Sequence, residues 1–383
     1  MRRHYNDRMD QPTLKIVENL ADIPVAEWDA LSGDDPMLSH AFLFALQESA
    51  CATPKFGWKA QFLTLWQGQH LVGAMPLYLK TNSFGEHVFD FAWADAYQRH
   101  GLRYYPKLVC TVPFTPVTGR RLLARSDEMC RLLLKHALEF AKSTGVSSLH
   151  CLFLNEADAL EAQAQGLMMR QDVQFHWKNP GYRDFDEFLS TLSRDKRKRI
   201  KQERRKVKEA GIELQCVTGL NATAEQWSFF ASCYLHTLQL HHSPHQLNAD
   251  FFQRLGAALP QHTLLVIASR EGRPIACALN YMTKEALYGR SWGTFEFHSG
   301  LHFETCYYQA IEFCIERGIK TFEGGAGGEH KLARGFLPVT TRSAHWLAHP
   351  QFARAVEDYL KSEAGAVSEY LDELNERSPF KHN

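Results

Sequence analysis

The sequence repeats one short pattern, and this repeat limits the folds that the chain can adopt. Residues 139–149 read EFAKSTGVSSL and residues 312–322 read EFCIERGIKTF, at an offset of 173 residues. In both stretches a Glu-Phe pair is followed, five residues after the phenylalanine, by a glycine and then by β-branched and apolar residues. The pattern predicts the end of an amphipathic helix, a glycine cap and entry into a buried strand.

A second repeated pattern precedes the first in each half of the chain. Residues 61–80 predict two strands joined by the turn Gln67-Gly68-Gln69, and residues 264–282 predict two strands around Glu271-Gly272-Arg273. Two elements that recur in the same order indicate a duplicated domain. Because this second offset is about 204 residues, the first half carries about 30 additional residues, which fall in the aromatic-rich segment 84–118.

Each half combines a hairpin, a helix and a buried strand, which predicts an α+β fold rather than strict β-α-β winding. The first domain is expected over residues 1–178, with the insertion at 84–118. The second is expected over residues 179–349 and begins with the turn-rich segment 179–184, which is followed by a basic helix. Residues 350–383 are expected to form a C-terminal helix and tail.

Composition and charge narrow the class of protein. The chain of 383 residues is 45% hydrophobic and 12% aromatic, as packed soluble domains are, and its formal net charge is zero. Its polar beginning and its lack of a long apolar stretch predict neither a signal peptide nor a transmembrane segment. Nine cysteines without a C-x-x-C pair predict reduced thiols rather than disulfides or a metal site. Together these features predict a cytoplasmic protein.

The strongest local charge lies in residues 194–208, which hold ten basic and two acidic residues. Apolar residues at helical spacing predict an amphipathic helix with one face on the core. Its cations, among them Lys196, Arg197 and Arg199, are expected to contact tRNA phosphates, a nucleotide-linked acceptor or anionic lipid head groups. A solvated helix face is the alternative.

The repeated strand of the second half runs into a glycine-rich loop and a charged cluster, GGAGGEHKLARGFLP at 324–338. The segment is not a Walker A loop, because no Gly-Lys-Ser/Thr follows its glycines. Gly324, Gly325, Gly327 and Gly328 permit positive φ angles and can expose backbone N–H donors. The alternative is a flexible turn with solvated charges.

The chemistry of amide formation selects residues around this loop. The attacking amine must lose a proton, and the carbonyl oxygen that becomes negative needs N–H donors or a cation. Glu304, Glu323 and His330 are the candidate proton acceptors, and Lys331 and Arg334 are the candidates for stabilising the charge. Because Glu304 lies in the first turn of a predicted helix, it could instead complement the helix dipole.

Further candidates for substrate binding flank the predicted strands. Arg290 and Trp292 end the strand after the second hairpin and are expected to face the same cleft, although Trp292 could instead fill the core. The insertion mixes aromatic and charged residues, as a binding wall would, and a surface loop held by aromatic packing is the alternative. The candidates in the insertion are Trp93, Asp95, Tyr97, Tyr104 and Lys107.

The duplicated halves, the basic helix between them and the closing G-G-…-K-…-G-F-x-P resemble the Fem-type peptidoglycan aminoacyltransferases. More closely, FAWADAYQRHGLRYYPKL, VPFTPVTG, LHFETCYYQAIEFCIERG and EGGAGGEHKLARGF are similar to motifs of a bacterial family of predicted N-acyltransferases. The resemblance covers residues 14–360. It implies two tandem GNAT-like domains and transfer of an acyl or aminoacyl group from aminoacyl-tRNA or acyl-coenzyme A to an amine.

The resemblance has one departure that concerns the acyl donor. GNAT enzymes that use acyl-coenzyme A carry an Arg/Gln-x-x-Gly-x-Gly/Ala loop before their helix, and SWGTFEFHSGLH stands there instead. This favours aminoacyl-tRNA. Both Lys331 and Arg334 precede Phe336, so either could correspond to the lysine of the Fem-type closing motif.

The resemblance implies that the acyl carrier is a co-substrate and that no cofactor or metal is bound permanently. The acceptor would be an amine on a small molecule or peptide, tRNA is a candidate partner, and the sequence is compatible with a monomer. The alternative from another class is a non-catalytic RNA- or membrane-surface-binding protein that uses the basic helix 194–208.

Overall fold

The computed structural model describes residues 11–243 and 246–381, and the chain divides into two compact units. The first unit extends to Asp172 and includes Thr341–Val367. The second unit comprises Val173–Thr340 and the segment from Ser368 onward. The chain therefore enters the second unit within the strand Met168–Lys178 and returns to the first within the strand Leu337–Leu347.

The elements follow one another in a similar order in the two units. Up to the middle of β9 they are β1 (Thr13–Val17), α1 (Val25–Ser32), α2 (His40–Glu48), β2 (Trp58–Ala60), β3 (Phe62–Gln67), β4 (His70–Met75), β5 (Leu77–Lys80), α3 (Phe91–Arg99), β6 (Lys107–Cys110), β7 (Leu123–Ala124), α4 (Asp127–Thr144), β8 (Ser148–Cys151), α5 (Glu156–Ala164) and β9 (Met168–Lys178). The remainder are α6 (Phe185–Thr191), α7 (Arg194–Glu209), β10 (Ile212–Thr218), α8 (Ala224–Leu240), α9 (Ala249–Ala258), β11 (Thr263–Arg270), β12 (Arg273–Met282), β13 (Ala286–Thr294), α10 (Leu301–Phe303), a π-helix (Glu304–Tyr308), α11 (Gln309–Arg317), β14 (Thr321–Glu323), β15 (Leu337–Leu347) and α12 (Pro350–Glu376).

The first unit contains two sheets. One is antiparallel, in the order β1-β3-β4-β7. In the other, β2, β5 and β6 are antiparallel neighbours, β6 pairs in parallel with β8, and β8 pairs with the end of β15. The helix α4 joins the two parallel strands, and its apolar face buries Leu133, Leu134, Ala137 and Ala141 against the sheets.

The second unit has the corresponding arrangement. Strands β10, β11, β12 and β13 are antiparallel neighbours, β13 pairs in parallel with β14, and β14 pairs with the end of β9. The helical segment from α10 to α11 joins the two parallel strands. Gly318 caps α11 with φ 67°, and Gly145 caps α4 with φ 69°, so both predicted glycine caps are confirmed.

Each unit thus has a helix between two parallel strands that are preceded by antiparallel strands, which is the GNAT-like arrangement. The α+β fold and the duplication are confirmed, as are the turns at Gly68 and Gly272. The predicted insertion at 84–118 needs correction, because it contains β6, which is the counterpart of β13. The additional residues of the first unit lie on both sides of that strand, and α3 is among them.

Candidate functional site

A cavity of about 320 Å³ opens in the second unit where the parallel strands separate. The pairing of β13 with β14 ends at Tyr288 opposite Glu323. Beyond that point β13 continues to Thr294, whereas the chain after β14 turns into the glycine-rich loop. The residues that line the cavity are Ala278, Leu279, Asn280, Gly289, Arg290, Ser291, Trp292, His302, Cys306, Tyr307, the loop Gly324–Gly328, His330 and Lys331.

Lys331 is held inside the glycine-rich loop. The residue is 2% exposed, and its Nζ donates to the carbonyl oxygens of Gly325 at 2.8 Å, Gly327 at 2.5 Å and Ala326 at 3.4 Å. A Cβ on Gly324 would lie 3.1 Å from Cδ of Lys331, so glycine leaves the room that the lysine needs. Burial and the nearby charge of Arg290 lower the pKa of Lys331 to about 8.

The three carbonyl contacts decide where the loop N–H groups point. A peptide group carries its N–H opposite its C=O. The N–H groups of Ala326, Gly327 and Gly328 therefore point away from Lys331, and in the described parts of the chain none of them donates to another protein group. The loop thus presents three free backbone donors beside the cavity, which is the arrangement that stabilises an oxyanion.

Two histidines line the cavity in their neutral form. Nε2 of His330 lies 3.2 Å from the hydroxyl of Tyr307. Burial and the charges of Lys331 and Arg334 lower the pKa of His330. Burial and the charge of His330 lower the pKa of His302 to about 4. Both imidazoles are therefore available to accept a proton at neutral pH.

The strand β13 supplies a cation and an aromatic wall to the same cavity. Trp292 stacks on His302 with ring centroids 4.9 Å apart. Its indole is part of the cavity wall and also packs against the core cluster around Val207, so it has both of the predicted roles. Arg290 also lines the cavity, and burial lowers the pKa of its guanidinium. The cavity wall therefore contains the two cations Arg290 and Lys331, and no carboxylate lines it among the described residues.

Arg334 lies beside the site but does not line the cavity. Its Nη2 donates to both carboxylate oxygens of Glu203 at 2.8 and 3.0 Å, and its Nη1 donates to the carbonyl of His330 at 2.6 Å. The guanidinium packs over the ring of Phe303 at 3.3 Å. The predicted contact of Arg334 with the reacting group therefore needs correction, because the geometry gives this residue the task of fixing the turn that carries His330.

Glu304 and Glu323 also lie outside the cavity lining. The carboxylate of Glu304 is 3.1 Å from Nε of Arg204 and 2.7 Å from Nε2 of Gln309, and burial raises its pKa. Glu323 lies 3.8 Å from Nε2 of His176. Glu304 was predicted to accept the proton of the amine, but its ion pair with Arg204 occupies it, so that prediction needs correction.

The basic helix forms as predicted, over Arg194–Glu209, and buries Ile200 and Val207. Its cations divide into two groups. Arg204 faces inward and pairs with Glu304 and Glu312. Lys196 and Arg197 form no ion pair within the described ranges, whereas Arg199 pairs with Glu203 on the same helix at 3.1 Å.

Two of the predicted wall residues of the insertion are instead part of a buried charge cluster in the first unit. Lys107 is fully buried, and its Nζ donates to Glu86 at 2.7 Å, to Ser83 at 2.8 Å and to Asp90. The hydroxyl of Tyr104 donates to Asp90 at 2.6 Å. Because Glu86 and Asp90 neutralise Lys107 inside the protein, neither Lys107 nor Tyr104 is exposed to a substrate.

The other candidates of the insertion lie on α3. Trp93 and Tyr97 are buried on its inner face, at 6% and 3% exposure, and each lines a separate cavity of the first unit. Asp95 is on the outer face, where it pairs with Arg99 at 2.8 Å. These three residues therefore do not form one common wall.

In the first unit a buried arginine lies beyond the parallel pair β6 and β8. Arg121 follows β6 in the sequence and is 1% exposed. Its guanidinium donates to the carbonyl oxygens of Leu152 at 2.9 Å, Val117 at 2.6 Å and Arg120 at 2.8 Å. Arg121 therefore ties the segment after β8 to the segment after β6 by hydrogen bonds.

Sequence reasoning missed several residues of the cavity lining, among them His302, Cys306 and Tyr307. The helix was predicted to begin at Glu304, whereas it begins at Leu301 and widens into a π-helix over Glu304–Tyr308. Segments of π-helix are rare in proteins as a whole, and those that occur are often found at functional sites. The aromatic run HFETCYY was the available signal, but its register cannot be read from helical periodicity.

Comparison with known proteins supports the fold. FemX shares 12% identity, with 88% of this chain and 98% of that chain covered and a TM-score of 0.53. L-PGS from Bacillus licheniformis shares 11% identity over 88% and 96% of the two chains, with a TM-score of 0.51. The C-terminal domain of a predicted lysylphosphatidylglycerol synthetase from Agrobacterium fabrum shares 10% identity over 89% and 96%, with a TM-score of 0.53.

Two further findings concern the curated proteins and the length and polarity of the helices. No curated protein matches the chain. Within the described residues, no helix is both long enough and apolar enough to cross a membrane.

The sequence of the chain matches a family whose description is peptidoglycan biosynthesis/recognition, and the match extends over residues 19–382. This match covers nearly the whole chain and agrees with the fold of the structures named above. The chain belongs to the FemAB-like family, and its two units are GNAT-like.

Proposed function

We propose that the second unit transfers an acyl or aminoacyl group from an activated carrier to an amine, with the reaction centre in the cavity beside the loop Gly324–Gly328. The observation that carries this proposal is the set of three unpartnered loop N–H groups behind which Lys331 is fixed. A flexible turn with solvated charges would not bury a lysine at 2% exposure.

In the proposed reaction the amine nitrogen attacks the carbonyl carbon of an ester or thioester. The carbonyl oxygen becomes negative and accepts hydrogen bonds from the N–H groups of Ala326, Gly327 and Gly328. Lys331 keeps these donors in place and adds a positive charge behind them. Because the donors are already oriented, they need no rearrangement when the charge develops.

The attacking amine must lose a proton while the carrier leaves. With Nε2–H of His330 donated to the hydroxyl of Tyr307, Nδ1 is the basic nitrogen that accepts this proton. The bond from the carbonyl carbon to the oxygen or sulfur of the carrier then breaks, and the proton passes to that leaving atom. The products are an amide and the free carrier.

The structure favours aminoacyl-tRNA over acyl-coenzyme A as the carrier. A pyrophosphate would need the N-terminus of α10. The helix α7 lies across that point, since a Cβ on Gly300 would be 2.9 Å from the carbonyl oxygen of Glu203. The outer cations of α7, Lys196 and Arg197 among them, are by contrast available for the phosphates of a polynucleotide.

Replacing Lys331 with alanine is expected to lower the turnover of acyl transfer by about 10²–10³, because the loop donors lose their support. Turnover is measured as amide formation from aminoacyl-tRNA and a primary amine. Lys331→Met, which keeps the volume, should show the same loss, and Lys320→Ala, an exposed lysine paired with Glu285, is the matched control. Full activity of Lys331→Met would reject the proposed centre.

Reversing the charge of Lys196, Arg197 and Arg199 to glutamate is expected to weaken tRNA binding and to flatten its dependence on salt, because fewer counterions are released. Affinity is measured by filter binding at salt concentrations between about 50 and 200 mM, a range wide enough to resolve the dependence of affinity on salt. If neither the affinity for tRNA nor its dependence on salt changes in this variant, the cations of α7 form only a solvated face. Retained tRNA binding without amide formation in the native chain would favour the non-catalytic alternative.

A further inference from the structure

The loop between β13 and α10 carries a phenylalanine that the proposed reaction does not use. Phe297 is 94% exposed, the largest fraction among the large hydrophobic side chains of the described residues. The loop joins Trp292 to His302, and both of these residues line the cavity of the second unit. Because Phe297 is five residues from each of them, its Cα lies within about 17 Å of theirs. The ring therefore stands near the cavity and faces solvent.

Hydrogen bonds fix this loop on both sides of the exposed ring. Before Phe297, the backbone N–H of Phe295 donates to the carbonyl oxygen of Ile275 at 2.9 Å. After it, the N–H of Leu301 donates to the carbonyl oxygen of His298 at 3.1 Å. The loop thus holds the ring in a defined position, which lowers the entropy cost of binding a partner.

Phe297 projects from the loop as a single ring. Phe295, two residues before it, packs its ring against that of His236 with centroids 5.0 Å apart. The carboxylate of Glu296 lies 3.7 Å from Nη1 of Arg270, which compensates its charge, so the loop does not repel a polyanion. A single ring suits stacking on one base, whereas insertion into a bilayer needs a wider apolar face.

The basic helix α7 borders the end of the same loop. A Cβ on Gly300 would lie 2.9 Å from the carbonyl oxygen of Glu203, and Leu301 belongs to the same buried cluster as Val207 of α7. One turn beyond Glu203 is the exposed Lys206, which forms no ion pair with any residue of the described ranges. Proteins bind single-stranded nucleic acid with this combination, in which cations contact phosphates and an aromatic ring stacks on a base.

We propose that Phe297 stacks on an unpaired base at the acyl-bearing end of the tRNA while the cations of α7 contact its phosphates. This inference rests on the proposed function, since that end of the carrier must reach the cavity for its acyl group to react. The unpaired nucleotides next to the acyl group leave the cavity past Phe297. The ring binds and positions the carrier and takes no part in making or breaking bonds.

The test compares amide formation by the native chain and by Phe297→Ala. The KM for aminoacyl-tRNA should rise about 5- to 150-fold, the factor that the loss of one base–aromatic stack produces, while turnover at saturation stays near the native value. With an aminoacyl ethyl ester, which has no base, both proteins should react alike. Phe89→Ala, which removes an exposed ring of the first unit, is the matched control. An unchanged KM for aminoacyl-tRNA in Phe297→Ala would overturn the proposal.

Binding of uncharged tRNA needs no chemistry and so separates this inference from the proposed reaction. Phe297→Ala should lose affinity by a similar factor and keep the native dependence on salt, because no phosphate contact is removed. Phe297→Trp should retain the affinity and Phe297→Leu should not, since leucine is apolar but cannot stack. Absence of amide from both carriers in the native chain would reject the proposed reaction, whereas equal tRNA affinity of the native chain and Phe297→Ala would reject the role of Phe297.

A bilayer is the competing partner for an exposed ring beside cations. Cosedimentation with vesicles of equal parts phosphatidylglycerol and phosphatidylcholine tests it. Phe297→Ala and Phe297→Leu should bind these vesicles no more weakly than the native chain does. Weaker vesicle binding in Phe297→Ala but not in Phe297→Leu, together with unchanged tRNA affinity, would identify Phe297 as a membrane anchor and overturn the proposal.

Discussion

Replacing His330 with glutamine is expected to lower the turnover of acyl transfer by about 10²–10⁴, the usual range for losing a positioned proton acceptor. Glutamine keeps a polar side chain of similar length but cannot accept the proton of the amine. A Cβ on Gly328 would lie 2.6 Å from the His330 ring, so the loop and the ring are fitted to each other. The binding of the carrier should therefore change much less than turnover.

The pH dependence of this reaction distinguishes a base from a structural role. The pKa of His330 lies below its ordinary value of 6.5, chiefly because of burial. Only the neutral imidazole accepts a proton, so the rate should rise with pH through a midpoint below 6.5 and stay level above it. This acid limb should vanish in His330→Gln and persist in His70→Gln, an exposed histidine of the first unit.

A different midpoint of the fall in rate at low pH would change which histidine is assigned as the proton acceptor. The pKa of His302 is about 4, since burial and the charge of His330 lower it. If the limb has its midpoint near 4 and survives in His330→Gln, His302 rather than His330 accepts the proton. The native protein and the His330→Gln variant should both be assayed with saturating carrier. The fall in rate at low pH then reports the protein with the carrier bound.

The fold could be predicted from the sequence because its signals are local. Helix ends, glycine caps and hairpin turns each depend on a few neighbouring residues, and their recurrence in the same order in both halves revealed the duplication. The predicted boundaries of the insertion were less accurate. The segment 84–118 was assigned to an insertion although it contains β6, because that strand carries no turn signal to separate it from its surroundings.

The candidate site could be predicted where local sequence fixes the place of a residue, as it does for Arg290 and Trp292 on the strand after the second hairpin. Lys331 and His330 follow the glycine-rich loop directly, and the structure places both at the cavity. Arg334 and Glu304 belong to the same segments, but their partners Glu203 and Arg204 come from α7, more than 90 residues away from Glu304. Long-range pairing of this kind leaves no trace in local spacing.

The same limit applies to the charged residues of the first unit. Lys107 was grouped with aromatic residues as part of a binding wall. The neighbouring acids Glu86 and Asp90 were the available signal for a neutralised cluster, but only the fold shows that all three side chains meet in the interior. This arrangement predicts a role in stability rather than in binding.

Replacing Lys107 with methionine is therefore expected to lower the free energy of unfolding of the first unit by about 3–5 kcal/mol at pH 8, the range for breaking a buried ion pair. Methionine retains most of the volume, so the loss comes from charge and not from a cavity. Glu86 and Asp90, at 2% and 3% exposure, would remain inside the unit without their shared cation. Urea unfolding followed by hydrogen exchange of first-unit peptides measures the change.

The matched control is Lys135→Met on α4, whose side chain is 66% exposed and pairs only with Glu139 on the same helix. Such exposed pairs contribute little, so its free energy of unfolding should stay within about 0.5 kcal/mol of the native value. Adding Asp90→Asn to Lys107→Met removes one of the stranded carboxylates. The double variant should consequently be more stable than Lys107→Met alone.

The loss in Lys107→Met should also depend on pH, with a definite sign. Burial raises the pKa of Glu86 to about 7 even in the native protein, whereas Lys107 and His150 overcome the effect of burial on Asp90 and lower its pKa. Without Lys107, Lys80 remains 3.9 Å from Glu86, but both carboxyl groups lose the cation that most lowers their pKa values. Burial then raises these pKa values in the folded state above the unfolded values of about 4. The folded variant then binds more protons than its unfolded form, so its stability falls as the pH rises through these pKa values. The deficit relative to the native protein should accordingly be smaller at pH 5 than at pH 8, and an equal deficit at both would show that the cluster does not hold its carboxylates through Lys107.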